Sequence, residues 1–418
     1  MSDTSPFAVP AYLYLFSAHT TALIGSGVST IALALLAIEI APDRASLVLA
    51  VALAIKMVAY VLVAPFAGQI GAFISAKRLL IALDLLRALV VASMPWISNE
   101  WQIYGAIALI SSASALFTPN YQALLPSVVV NEQAYIKALS WAQVASSIEQ
   151  IASPALAAAL LLVFTFNDLF FLNGATFLLS ALLIWIATIA NTRAVTKSQS
   201  PWWGIQAYLK TPRLRAVGFA YMGIAGGSAM VIVNTAVYVQ QFLGQTESAI
   251  ALTLAASGLG TALGALIVPR LSVPPRVTLS GGNFLIAFAI MMGVTKPGWL
   301  QLTMMWFLVG LGLGLSQTPV GVVIRRSCHE RHRAAFFAAN FTLSHAWWLF
   351  AYLLAGLLAN SYNWQTTFAL MGFLPLVGGL ACLFLYPQPD EALVTHQHGE
   401  VVHRHEFYID ESHTSWPR

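Results

Sequence analysis

Apolar residues in this chain come in long blocks, separated by short polar or proline-containing breaks. A helix rises about 1.5 Å per residue, so about 20 consecutive apolar residues cross the ~30 Å hydrocarbon layer of a bilayer. The blocks predict twelve membrane spans, near 11–40, 46–73, 79–97, 102–125, 138–165, 168–191, 216–243, 248–271, 277–295, 298–323, 334–360 and 364–386. Gly and Pro inside several spans fit this reading, because packed neighbours satisfy the backbone groups they free. The fold class expected is all-α, a polytopic membrane protein with two six-helix bundles.

The breaks are not equivalent. Those after even-numbered spans carry Lys77, Arg78, Lys137, Arg193, Lys197, Lys210, Arg213, Arg215, Arg270, Arg276, Arg325, Arg326, Arg331 and Arg333, whereas those after odd-numbered spans carry only Arg44 and Lys296. Lys and Arg collect in cytoplasmic loops, so the bias predicts that both termini are cytoplasmic. The N-terminal MSDTSPFAVP lacks a basic stretch before a short apolar core, so no cleaved signal is expected. The longest interior break, 192–215, divides the spans six and six. It gives an N-terminal bundle (1–191), a cytoplasmic linker (192–215), a C-terminal bundle (216–386) and a polar tail (387–418).

Composition agrees with the pattern. Of 418 residues, 58% are hydrophobic and 9% charged, against roughly 25% charged in soluble domains. Cys328 and Cys382 lie far apart and suggest neither a disulfide framework nor a thiolate metal site. No nucleotide-binding motif, nucleic-acid partner, cofactor or enzymatic domain is read. GLGLGLS, 310–316, lies within a span and is taken as a helix-packing stretch.

An ionisable group at the bilayer centre costs roughly 3 kcal/mol on insertion scales, so each one needs a partner, a wet cavity or a function. Glu149, about eleven residues into span five, is read as exchanging a proton, binding a cation, or pairing with a buried base. His345, about eleven residues into span eleven, suits Ni²⁺, Co²⁺ or Zn²⁺, or packs against a carbonyl. His19 lies in span one. Lys56, in span two, repels metal ions and is read as a counter-ion to Glu149 or a gating charge. Asp84 and Arg87, at i and i+3, form a structural pair expected near the cytoplasmic interface. Asn234, Asn340 and Gln317 are weaker candidates for lining a path, with Trp347 and Trp348 as stacking surfaces.

FTPNYQALLPSVVVNEQAYIKALS, 117–140, resembles the segment of major facilitator exporters that closes span four. The match rests on Phe117, Pro119, Ala123, Leu124, Leu125 and Pro126, then Ala138 and Leu139; it is the branch of the enterobactin and macrolide exporters. LKTPRLRA, 209–216, resembles that branch's linker before span seven. In the loop GQIGAFISAKR, 68–78, Gly68, Lys77 and Arg78 match the family's gate motif, while Ala72 and Ser75 depart from its Asp and second Gly. The span-five antiporter motif is reduced to SPALAA, 153–158. AAFFAANFTLSHAWWLFAYLLAG, 334–356, resembles span eleven of a nickel- and cobalt-resistance branch whose members also end in histidine-rich cytoplasmic tails. The resemblance implies the major facilitator fold in an inner membrane and a monomeric, proton-coupled exporter.

The tail repeats that theme. His396, His398, His403, His405 and His413 are five of the nine histidines in the chain. HQH and HRH each place two imidazoles on one side of an extended segment, with Glu400, Glu406, Asp410 and Glu411 nearby and His329 and His332 as further donors. Such N/O donors suit Ni²⁺, Co²⁺ or Zn²⁺; the alternative is a solvated terminus that binds nothing. The expected function is proton-driven export of a divalent transition metal, Ni²⁺ or Co²⁺ first. The alternatives are export of a drug or siderophore-like molecule, and a transport-inactive metal sensor.

Overall fold

A computed structural model describes residues 5–41, 45–189, 200, 202–388, 390, 393–398, 401–406, 408–409 and 416. The membrane region is helical throughout: α1 (Pro10–Ile40), α2 (Ala45–Val63), α3 (Ala67–Phe73), α4 (Ala76–Ala92), α5 (Glu100–Val128), α6 (Glu132–Leu160), α7 (Phe166–Ile186), α8 (Trp203–Lys210), α9 (Pro212–Ala236), α10 (Glu247–Ile267), α11 (Pro275–Met291), α12 (Trp299–Gln317), α13 (Val320–Ser327), α14 (Arg333–Ser361) and α15 (Trp364–Leu385). The tail adds two strands, β1 (Leu393–His398) and β2 (Val401–Glu406).

Eleven helices among the described residues are long and apolar enough to cross a membrane. The expected span five is α6, which is 29 residues long but is made more polar by Glu132, Lys137 and Glu149. Two predicted spans are each built from two helices. Pro65 sits in a 3₁₀ turn between α2 and α3, and Pro319 caps α13 after the end of α12. A proline there removes a donor from the helical ladder.

Polar residues at the breaks start the next helix. Asn99, Asn131 and Asn363 accept from backbone N–H groups at the N-termini of α5, α6 and α15, at 3.1, 3.0 and 2.9 Å. Thr165 and Asp168 form a reciprocal capping box on α7. Each cap satisfies donors that a helix end leaves open.

The chain forms two compact units, residues 1–138 with 145–201, and residues 139–144 with 202–418. In the first, α1 and α4 pack on α7, and α2 and α4 on α5. In the second, α10 packs on α12, α9 on α14 and α15, and α11 on α12 and α15. The GLGLGLS stretch packs as expected. A Cβ on Gly310 or Gly314 would overlap the carbonyl oxygens of Ser257 or Thr261 on α10, so glycine lets the two backbones touch. Part of the expected linker is also packed. Gly204 of α8 has room for no side chain, since a Cβ would lie 2.7 Å from Ala335 O. Its neighbour Trp203 meets His332 and Phe336 at 4.7 and 5.9 Å between rings.

Candidate functional site

Glu149 projects from α6 onto the backbone of α1. A Cβ on Gly27 would overlap both Glu149 Oε1 and Ser153 Oγ, so the carboxylate occupies space that only glycine leaves. Ser153, one turn on, donates to Glu149 Oε1 at 3.5 Å. The Lys56 ammonium acts on Glu149 through space and lies 5.7 Å from the Tyr60 ring centre. No ion pair joins Lys56 to Glu149 among the described residues. Glu149 and Lys56 are both half-buried.

His19, also half-buried, stacks on Tyr121 at 4.8 Å and 23° between rings. Tyr121 is fixed in turn by its hydroxyl, which donates to Leu15 O at 3.2 Å. Stacking sets the plane of the imidazole, and among the described residues no hydrogen bond to its ring nitrogens competes.

Asp84 and Arg87 form the expected ion pair, but not at a helix end. Asp84 falls at the middle of α4, which starts at Ala76, and the two residues are 0% and 6% exposed. Ser180 of α7 donates to Asp84 Oδ2 at 2.8 Å. The guanidinium lies over Phe117 and Phe177, 4.2 and 4.6 Å from the ring centres. The pair therefore ties α4 to α5 and α7. Of the loop residues, Gly68 lies in α3, Lys77 donates to Ala187 O at the end of α7 at 2.8 Å, and Arg78 is exposed. Lys77 thus caps a helix C-terminus, where a cation is favoured.

The second unit holds His345. Its Nδ1 lies 2.7 Å from Phe341 O. A carbonyl only accepts, so Nδ1 carries the proton in the neutral ring and Nε2 carries the lone pair. Metal-binding histidines are oriented by such a bond, and packing histidines make it too. The ring also meets Phe341 at 3.9 Å and Trp348 at 5.0 Å, and Trp348 meets Tyr221 edge-on at 6.3 Å. Asn340 accepts from Tyr208 OH at 2.9 Å and donates to Tyr221 OH at 3.5 Å. Asn234, 2% exposed, donates to Ala355 O at 3.4 Å. Both asparagines join helices inside the unit.

The tail hairpin is antiparallel, with His396 opposite His403, Val394 opposite His405 and His398 opposite Val401. Opposed residues share a face, and so do residues two apart. The positions of His396, His398, His403 and His405 therefore all fall on one face of the ribbon. His413, Glu400, Asp410 and Glu411 lie outside the described residues. The tail is anchored on both sides of the hairpin. Asp390 pairs with Arg213 and accepts from Tyr386 OH at 3.1 Å. Beyond the hairpin, Ile409 is 3% exposed, Tyr408 lies edge-on to His329 at 6.3 Å, and Trp416 lies 5.8 Å from the Arg213 guanidinium.

His332 is buried, and its Nε2 accepts from Arg331 Nε at 3.1 Å, so this ring is engaged within its loop. No group of three or more His, Cys, Asp or Glu is arranged to hold a metal among the described residues. Gly27, Tyr121 and Tyr221 were not singled out from the sequence, and Ser153 entered only as the first residue of SPALAA. Ser153 alone carried a signal, its i+4 spacing from Glu149.

Eleven helices among the described residues that are long and apolar enough to cross a membrane, with ionisable groups at mid-helix, define a polytopic membrane protein. Residues 15–245 and 217–409 match the Major Facilitator Superfamily, and the chain belongs to that family. It is 22% identical over 347 residues to the uncharacterized MFS-type transporter YfiS of Bacillus subtilis (strain 168), covering 77% of this chain and 81% of that protein. Its fold is similar to that of the human organic anion transporter MFSD10 (TETRAN), with a TM-score of 0.77, 12% identity and coverage of 89% and 99% of the two chains. The E. coli fucose:proton symporter FucP is similar at a TM-score of 0.68 and 13% identity, covering 91% and 98%.

Proposed function

We propose that the protein is a secondary active exporter of a divalent transition metal, Ni²⁺ or Co²⁺ first, driven by proton antiport. It works as a monomer in the inner membrane with both termini in the cytoplasm. The observation that carries this reading is the hairpin register, which sets four histidine positions on one face. The tail collects the cation at the cytoplasmic mouth. Some of His19, Glu149 and His345 supply exchangeable ligands within the membrane, and Lys56 acts as a counter-ion to Glu149 or as a charge that gates occupancy. The loop residues Gly68, Lys77 and Arg78 act at the cytoplasmic gate. Support comes from His345, whose carbonyl bond directs the lone pair to Nε2, and from Glu149, which competing protons and cations both suit.

Everted membrane vesicles with an imposed pH gradient test this, with Ni²⁺, Co²⁺ and Zn²⁺ offered separately. Gradient-dependent uptake of one ion is expected, lost in Glu149→Gln and reduced at least tenfold in His345→Ala. Uptake unchanged in both variants would refute the assignment. A second reading, export of a drug or siderophore-like molecule, is favoured by the aromatic wall of Trp348 and Tyr221 beside His345. Growth protection against an organic toxin, with no metal uptake, would select it.

A further inference from the structure

A groove of about 420 Å³ opens on the second unit, between α9 and α14. Arg215 and Phe219, one turn apart on α9, line one side, and Ala346, Trp347 and Phe350 of α14 the other. Leu209 of α8 lines it as well. The volume is that of an ordinary ligand site, yet apart from Arg215 the residues named are apolar. Leu209, Phe219 and Phe350 are 45%, 38% and 49% exposed, as expected of a surface open to lipid.

Arg215 sits in the first turn of α9 and is exposed. No carboxylate pairs with it among the described residues. Lys210, the last residue of α8, is exposed as well. On its other side α8 buries Gly204, Ala207 and Tyr208, and Tyr208 holds it to α14 through Asn340. The apolar trough therefore lies where a membrane-spanning helix begins, with Arg215 in its lining and exposed Lys210 next in sequence to Leu209, which also lines it. A small soluble anion matches the cations but not the trough, and a neutral lipid matches only the trough. A molecule with an anionic phosphate and an acyl chain matches both.

We propose that this groove is a binding site for an anionic phospholipid, with its phosphate on Arg215 and Lys210 and its acyl chain along Phe219, Trp347 and Phe350. The site is separate from the transported cargo, so it stands or falls independently of the metal reading. Near a membrane surface each Lys or Arg contributes about 1 kcal/mol toward anionic lipid, or about fivefold in affinity.

Native mass spectrometry of the full chain tests it, after delipidation and addition of phosphatidylglycerol, phosphatidylethanolamine or inorganic phosphate. The wild type is expected to keep one phosphatidylglycerol in preference to phosphatidylethanolamine. Arg215→Gln lowers that preference about fivefold and Arg215→Lys retains most of it. Ala346→Phe, at an exposed position in the trough, lowers retention of both lipids. Equal retention of the two lipids by the wild type would overturn the proposal. So would a preference unchanged by Arg215→Gln. Displacement of phosphatidylglycerol by inorganic phosphate, with Ala346→Phe silent, would make this a free-phosphate site and overturn it too.

Discussion

Gly27→Ala is a direct probe of how Glu149 is held. The new Cβ overlaps Glu149 Oε1 and Ser153 Oγ and lies 2.5 Å from Ser153 Cβ. The carboxylate can swing away, but Ser153 Cβ is fixed to its helix. Carbon atoms in contact settle near 3.5 Å, so α1 and α6 must separate there by about 1 Å. Overpacking of this kind costs about 1–3 kcal/mol. Ser153→Gly removes the fixed obstacle, at about 1 kcal/mol for a glycine within a helix. The two changes should therefore not add, and the double variant should be at least 0.5 kcal/mol more stable than the sum of the single costs. The assay is denaturant unfolding of the four purified proteins in one detergent. The packing argument fails if Gly27→Ala is neutral, or if the two costs add within about 0.3–0.5 kcal/mol.

Three shorter predictions follow from the same geometry. Gly310→Leu drives a side chain into the carbonyl of Ser257, so it should lower folded yield sharply, read by size-exclusion chromatography, while Gly105→Leu, with nothing within 4 Å, should not. Tyr208→Phe removes the hydroxyl that donates to buried Asn340 and should cost about 1–3 kcal/mol, measured by thermal unfolding. Burial pushes the Cys328 thiol up to about 12, so maleimide at pH 8 should leave it unlabelled until the protein is denatured. The unfolded thiol ionises near 9 and the folded one does not, so the folded state binds more protons. This thiol's contribution to stability is intact below pH 9 and is lost as pH rises toward 12, which a pH series of melting curves checks.

The span pattern was legible because bilayer thickness imposes a length on apolar blocks, and α4, α5, α7 and α15 fall close to the expected ranges. Ion pairing of Asp84 with Arg87 was legible from their i, i+3 spacing. Their burial against α5 and α7 was not, because it depends on which helices pack on α4. Gly27 was invisible for a different reason. One glycine in a run of small residues looks like any other until the partner helix is known. In the tail, alternation put each H-x-H unit on one side of its own strand. Whether the two units share a face depends on register, and a slip of one residue would place them on opposite faces. Only the pairing of His396 with His403 resolves that.

The two mid-helix acids of the first unit separate structure from coupling. Asp84 is 0% exposed, paired with Arg87 and bonded to Ser180. Glu149 is half-buried, holds one serine hydroxyl at 3.5 Å and feels Lys56 only at a distance. Breaking a buried pair by removing one partner leaves an uncompensated charge and costs about 3–5 kcal/mol. Asp84→Asn should therefore lower stability strongly, and replacing Asp84 and Arg87 together with Leu and Met should recover much of it. Glu149→Gln, which keeps shape and breaks no direct ion pair among the described residues, should change stability by less than about 1 kcal/mol and still abolish uptake driven by a pH gradient. Both quantities are measured on the same preparations, by unfolding and by flux in proteoliposomes. A carboxylate that exchanges protons must be free to lose its ligand, and of these two only Glu149 is. Loss of stability in Glu149→Gln as large as in Asp84→Asn would make Glu149 a second structural acid and remove the basis for coupling through it.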